Sequence, residues 1–535
     1  MPKNDSAFQK SELAKLLTAC GESADFLTFS LYENSPFFIA YFKTLVKPEI
    51  IHHDILPIVK EELSTLEEIK EKLLIEDLSI TDNIPDIQDK LMTGNLIFYK
   101  KEGKPACLAV PAPAVEKRQV ATPETEYSVV GPKEAFVESL DTNLNLVRKR
   151  LPIPELQVKE LMVGKLSKTR IAVVYVKGIA DSDNVNTVIQ RIQGIEYDEI
   201  ADSSFLSQMI TDNKNSPFPQ LVDTERPDRL AALLAEGKVA IFSDGSPTAI
   251  SGPVSLITFF TAFEDYLSIW NVASAFRLLR LIAVLFSVLA TSTYVAILTY
   301  HYEMIPRDVL SLLITSRGSI PFPPFLEAVL LELAIELLRE AGARLPTKIG
   351  QTIGIVGGIV LGTAAVQAGL TSNVLLIVVA TGALASFTTP IYQLSNVIRL
   401  IRFPFILLAQ LLGLVGVAVC FAFLMSHLLK LTSLGRPFLE PIYPLRVKDF
   451  KDSIIRLPFS KQALRPLQIR AKDRVRFQQE APQKKNGILT TNLHMEVLYA
   501  ALTAGEPESL SFLCFLSYSS GAIWLGRFQL STVYC

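Results

Sequence analysis

Charge is missing where a soluble protein would need it. Between Lys348 and Arg399 the chain runs for fifty positions without Asp, Glu, Lys or Arg, in a sequence that is 20% charged overall. Such a neutral, mainly apolar run excludes a wholly water-soluble protein, because two hydrophobic helices of ~20 residues each cross a bilayer core. Cysteine is also scarce. The five cysteines (Cys20, Cys107, Cys420, Cys514 and Cys535) are far apart and form no CxxC pair, which excludes a disulfide framework and a cysteine zinc site. The N-terminus, MPKNDSAFQK, lacks a basic region followed by an apolar one, so a signal peptide is not expected. The first 270 or so residues are therefore expected to stay on the cytoplasmic side.

What is present divides the 535 residues into a hybrid. Residues 1–270 read as a soluble α/β region in two lobes, 1–120 and 121–270. Amphipathic patches such as KSELAKLLTAC alternate there with strand-like runs such as GNLIFYKK and RIAVVYVKGI. Residues 271–430 read as an α-helical polytopic membrane domain with about four spans, near Leu281–Tyr300, Ile349–Ala368, Val374–Pro390 and Phe405–Leu429. Between the first two lies PFPPFLEAVLLELAIELLREAG. Its Glu332, Glu336 and Glu340 form an i, i+4 stripe opposite Leu330, Ala334, Leu337 and Leu338, which predicts an amphipathic interfacial or re-entrant helix. Residues 431–485 form a basic segment, with fourteen Lys plus Arg against five Asp plus Glu from Lys430 to Lys485, expected on the cytoplasmic side. That placement leaves Arg344, Lys348, Arg399 and Arg402 as external charges. Residues 486–535 form an atypical tail rich in Leu, Ser and Ala.

Longer motifs carry a family resemblance. ITDNKNSPFPQLVDTERPDRLAALLAEGKVAIFSDGSP from Ile210, TPETEYSVVGPKEAFVESLDTNLNLVRKRL from Thr122 and GKLSKTRIAVVYVKGIAD from Gly164 resemble the A subunits of the spore nutrient-germinant receptors, the GerA family. HYEMIP at His301, RLPTKIGQTIGIVGG from Arg344 and RPFLEPIYPLRVKDFKDSIIRLP from Arg436 extend the likeness to about residues 35–470. The resemblance implies a multi-pass subunit of a receptor complex in the spore inner membrane. It also implies partnership with a transporter-like B subunit and a lipoprotein C subunit, and a homo-oligomeric, pentameric ion channel whose pore the A subunit forms. Neither a cofactor nor a nucleic-acid partner is expected.

Within that frame the third span offers a mildly polar, uncharged face at helical spacing: Asn373, Ile377, Thr381, Ala385 and Thr388 are candidate pore-lining residues. Hydroxyls bonded back to preceding carbonyls are the plainer account of that stripe. Gly350, Gly354, Gly358 and Gly362 recur every fourth residue and are candidates for close helix packing, with lining of a narrow pore as the alternative. Glu327 falls within the apolar face of its helix, as a candidate ion-path carboxylate or as a charge meeting the helix dipole three residues after Pro324. SPFPQ and TERPDR read as an interdomain elbow, with a partner-binding surface as the alternative. GKLSKT lacks phosphate-loop spacing, and His301 has no second histidine four residues on. An enzyme is not expected, since no nucleophile, base and orienting group converge. A secondary transporter or transporter accessory subunit is the alternative function, though no internal repeat is visible.

Overall fold

The computed structural model describes residues 11–31, 35–59, 65–73, 75–101, 106–114, 123, 126, 130–344, 358 and 362–477. Lobe 1 is built on strands β1 (Phe26–Ser30), β2 (Phe37–Phe42), β3 (Ser79–Thr81), β4 (Asn95–Lys100) and β5 (Cys107–Pro111), ordered β1-β2-β4-β5-β3. Every pairing is antiparallel. Successive side chains on a strand point to opposite faces, and both faces of this sheet are apolar. Phe37, Ile39, Leu96, Phe98, Leu108 and Val110 join one core with α2 (Leu66–Lys72). Ala40, Phe42, Ile97, Tyr99, Cys107 and Ala109 join the other, under α1 (Glu12–Gly21) and α3 (Ile84–Met92). The sheet is thus the middle layer of three.

Lobe 2 repeats the plan. Its sheet, ordered β6-β7-β9-β10-β8, comprises β6 (Leu156–Val163), β7 (Thr169–Val176), β8 (Val222–Thr224), β9 (Val239–Ser243) and β10 (Ala249–Gly252), again all antiparallel. Ile171, Val173, Val239 and Ile241 pack under α5 (Ser182–Gln193) and α6 (Ser203–Ile210). Ala172, Val174, Ala240 and Phe242 pack under α4 (Leu140–Arg150) and α7 (Pro227–Glu236). Helix α7 starts on Pro227 and stops at Gly237, whose φ of 103° suits a residue without a side chain. GKLSKT is the β6–β7 hairpin turn, so the backbone there does not run from a strand into a helix as a phosphate loop requires.

Residues 431–477 return to lobe 2. Ribbon β11 (Thr432–Ser433) and β12 (Arg436–Pro437) places Leu434 in the lobe's core, and Arg436 reaches Asp181 at 2.5 Å.

The helical region that follows contains α8 (Trp270–Tyr300), α9 (Arg307–Arg317), α10 (Pro324–Arg344), α11 (Asn373–Ser386) and α12 (Tyr392–Lys430). Two of these helices, α8 and α12, are long and apolar enough to cross a membrane. The expected first span lies within α8. The third falls on α11, an apolar helix of 14 residues. The second, Ile349–Ala368, lies mostly outside the described residues.

The expected fourth span is not one straight helix. Gly413 has φ 62° and ψ −140°, a conformation open essentially to glycine, and it breaks α12 in two. Gln393, near the start, donates to Asp223 at 2.5 Å, whereas His427, near the end, bonds Ser216 at 2.9 Å. A straight helix would hold Gln393 and His427 ~50 Å apart at 1.5 Å per residue. The short segment joining Ser216 to Asp223 cannot extend beyond ~25 Å. Helix α12 therefore doubles back, and a Cβ on Gly416 would collide with the Leu408 carbonyl. Both feet of this hairpin stand on lobe 2. One apolar core accordingly runs from Phe218, Val222 and Val254 of the lobe into Val295, Phe405 and Leu428 of the helices.

Candidate functional site: a charged column inside the helical bundle

Helix α10 reverses the expected arrangement of its faces. Leu330 and Leu337 are 52% and 70% exposed, whereas Glu327 and Glu332 are 1% and 2% exposed. The carboxylate stripe faces the bundle and the leucines face outward, because arginines from neighbouring helices supply partners there. Ionised groups at membrane depth persist when paired and hydrogen-bonded. Glu340 alone follows the sequence expectation, exposed and paired with Arg344 at 2.6 Å.

Three levels stack along α10. At the first, Arg317 of α9 lies 3.0 Å from Glu327, whose other oxygen accepts the Ser372 amide at 3.2 Å. At the second, Glu332 accepts from the Thr291 hydroxyl at 2.9 Å and pairs with Arg402 at 3.1 Å. Arg402 also donates to the Gly382 carbonyl at 2.8 Å and to Ser287, so this level ties α8, α10, α11 and α12 together. At the third, Glu336 lies between Arg339 at 2.6 Å and Arg399 at 3.4 Å, and Arg399 donates to Ser395 at 2.6 Å. Arg399 and Arg402, expected as external loop charges, are 4% and 1% exposed inside the bundle. The column places no uncompensated charge at the first two levels, and Glu327 has in Arg317 a structural counter-ion.

Four of the candidate pore-lining residues, Asn373, Ile377, Thr381 and Ala385, share one face of α11, and Thr388 lies in the turn just past its end. Asn373, Ile377 and Thr381 are exposed on the single chain, while Ala385 and Thr388 are half-buried. The opposite side, Leu375, Val379, Gly382 and Ala383, packs inward. The Thr381 hydroxyl donates to the Ile377 carbonyl at 2.7 Å and that of Thr388 to Ala385 at 2.8 Å, as the plainer account of these hydroxyls requires.

Of the glycine stripe, Gly350 and Gly354 lie outside the described residues. Among the described residues nothing lies within 4 Å of a Cβ position on Gly358, and Gly362 would meet Leu376 at 3.7 Å.

Sequence reasoning did not assign roles to Arg317, Arg399, Arg402, Ser287 or Thr291, nor to the fold of HYEMIP. Tyr300 donates to the Gln410 carbonyl at 2.9 Å, and His301 Nε2 accepts the Leu414 amide at 3.4 Å. Backbone groups freed by the Gly413 break thus find partners in these two side chains, Tyr300 also reaching the Leu411 carbonyl at 3.3 Å. SPFPQ meets the helices, whereas the contacts of TERPDR stay within lobe 2. Phe218 sits in the core shared with the helices, and Arg226 binds Asp228 at 2.7 Å and the Pro132 carbonyl at 3.1 Å.

Comparison with known proteins fixes the lineage. A family model described as Bacillus/Clostridium GerA spore germination protein matches residues 14–468. Spore germination protein GerQA of Bacillus cereus is 52% identical over 482 residues, covering 90% of this chain and 96% of that protein. Spore germination protein GerIA of the same organism is 46% identical, covering 86% and 69%. Spore germination protein KA of Bacillus subtilis (strain 168) is 35% identical, covering 85% of each. Among solved structures, the N-terminal domain of the A subunit of the Bacillus megaterium spore germinant receptor GerK3 is 27% identical, covering 45% of this chain and 92% of that one with a TM-score of 0.33. With one family matched across residues 14–468 and relatives aligned nearly end to end, the chain belongs to the GerA family of spore germination proteins.

Proposed function

We propose that the chain is the A subunit of a nutrient germinant receptor in the spore inner membrane, acting with a transporter-like B subunit and a lipoprotein C subunit. Several copies, five by family resemblance, surround an ion pore that opens when the complex senses nutrient. Membership of the GerA family supports the receptor reading. One observation carries the pore reading: the Asn373, Ile377, Thr381 face of α11 is uncharged, mildly polar and turned outward from the chain. The charges of the column are engaged with one another, which leaves this face as the surface on which copies can enclose water. A gate of small and apolar side chains closes by dewetting.

Lobe 2 and the basic residues 431–477 fold together, so they share one side of the membrane. By the positive-inside rule that side is the cytoplasmic one, the spore core. The test is spontaneous ion release, without nutrient, from spores carrying Thr381→Ala, Ile377→Ala or Ile377→Ser. A shift in release at normal abundance supports the pore face. Unchanged release and unchanged nutrient response in all three remove it.

The Gly413 break favours a second reading, a secondary transporter or transporter accessory subunit, since interrupted helices recur at transporter substrate sites. Purified complex in liposomes separates the two. A channel gives conductance down the ion gradient, whereas a transporter gives solute uptake coupled to it.

A further inference from the structure

A cavity of about 480 Å³ opens where three parts of the chain meet: α7, the passage Ser255–Tyr266 leading into α8, and the returning segment Asp449–Arg476. The volume suits a small molecule. Leu233, Ile257, Phe263 and Phe459 give it apolar walls. At one end stands Lys238, 5% exposed, with Glu236 at 3.4 Å as its ion partner. That carboxylate is shared, for Arg476 lies 2.9 Å from it. Two cations on one carboxylate leave an excess of positive charge. Arg229 alongside does not change that balance, being matched by Glu126 at 2.5 Å. Burial lowers the Lys238 pKa, the mark of an ammonium short of solvation and counter-charge.

The other acidic residues of the lining have cationic neighbours of their own, Asp452 facing Arg277 at 3.9 Å and Asp449 lying near Arg446. Asp452 also accepts from Tyr266 at 3.3 Å, which ties the returning segment to the passage before α8, and from Gln462 at 3.3 Å, while Asp449 accepts the Leu467 amide at 3.2 Å; these last two contacts brace the returning segment internally.

We propose that the cavity binds a small carboxylate with an apolar body, its anion on Lys238 and its body against Leu233, Ile257 and Phe263. The site stands apart from the α11 face and does not depend on the pore reading. An occupant touches lobe 2, the entry to the membrane and the returning segment at once, so binding should stiffen that junction.

The probe is benzoate, with neutral benzamide as its isostere, titrated calorimetrically into the full chain in detergent. Wild type should bind benzoate saturably and benzamide at least roughly tenfold more weakly. Lys238→Gln should lose benzoate binding and Lys238→Arg should retain it. Ala232, exposed at the cavity, allows a variant that avoids the core: Ala232→Phe should block binding while the melting curve stays that of wild type. Absence of saturable benzoate binding, equal binding of the two probes, or undiminished binding in Lys238→Gln or in Ala232→Phe would overturn the proposal.

Discussion

Arg148 reaches across the boundary between the lobes and forks onto Asp25, Nε to Oδ2 at 2.5 Å and Nη2 to Oδ1 at 2.6 Å. Burial works against the Asp25 charge, yet Arg148, Ser23 and Thr44 outweigh it and hold the carboxyl below its ordinary value. The pair therefore stabilises at neutral pH, and its contribution is lost as pH falls through that depressed pKa. Arg148→Met strands a buried carboxylate and should cost about 3–5 kcal/mol, read as a lower melting temperature of the detergent-solubilised chain. A melting temperature within a degree or so of wild type would mean that the lobes do not depend on this clasp.

The hairpin foot at Asp223 has the opposite pH sense. Its Oδ1 is buried with no partner among the described residues, and burial raises the carboxyl pKa to about 7 despite the hydrogen bond from Gln393. Nearby Asp202 and Glu126 push the same way. The folded state keeps a proton that the unfolded chain releases near pH 4, so stability falls as pH rises from ~4 to 7. Asp223→Asn should be more stable than wild type at pH 8 and should flatten the pH dependence of melting over that window. An unchanged pH profile would show that this carboxyl is not the titrating group.

Glu332 and Arg402 should behave as one unit. Arg402→Leu leaves a carboxylate buried in the bundle and should sharply reduce accumulation in the spore membrane, at a cost of about 3–5 kcal/mol. Glu332→Leu combined with Arg402→Leu should accumulate better than Arg402→Leu alone. Additive damage in the double variant would show that the two residues act separately.

Glycines of the helical region should differ in tolerance. A Cβ on Gly413 would lie 2.9 Å from His301 Nε2, at a φ of 62°. Gly413→Ala should therefore cost about 1–3 kcal/mol and loosen the hairpin. Gly358→Ala meets nothing within 4 Å among the described residues and should accumulate normally. Immunoblots of spore membranes distinguish the two.

The sheets were legible because their strands write both faces in apolar letters. RIAVVYVKGI supplies Ile171 and Val173 to one core and Ala172 and Val174 to the other. The antiparallel order was not legible, since strands buried on both faces carry no alternation to orient them. At α10 the carboxylate stripe was visible, but its direction depends on Arg402, 70 residues along the chain from Glu332 and beyond the reach of any local pattern. Gly413 and Gly416 both sit in one apolar run, where glycine is common and neither marks a boundary by itself. The uncharged face of α11 could be read directly, because helical spacing alone assembles it.

The return of residues 431–477 gives lobe 2 an unusual birth order. Leu434 fills its core and Ser433 donates to the Gln220 carbonyl at 2.6 Å, yet the ribosome makes both only after α8 through α12 have been synthesised. The lobe cannot close its core until the last helix has been made, so a chain stalled partway carries an unfinished apolar core.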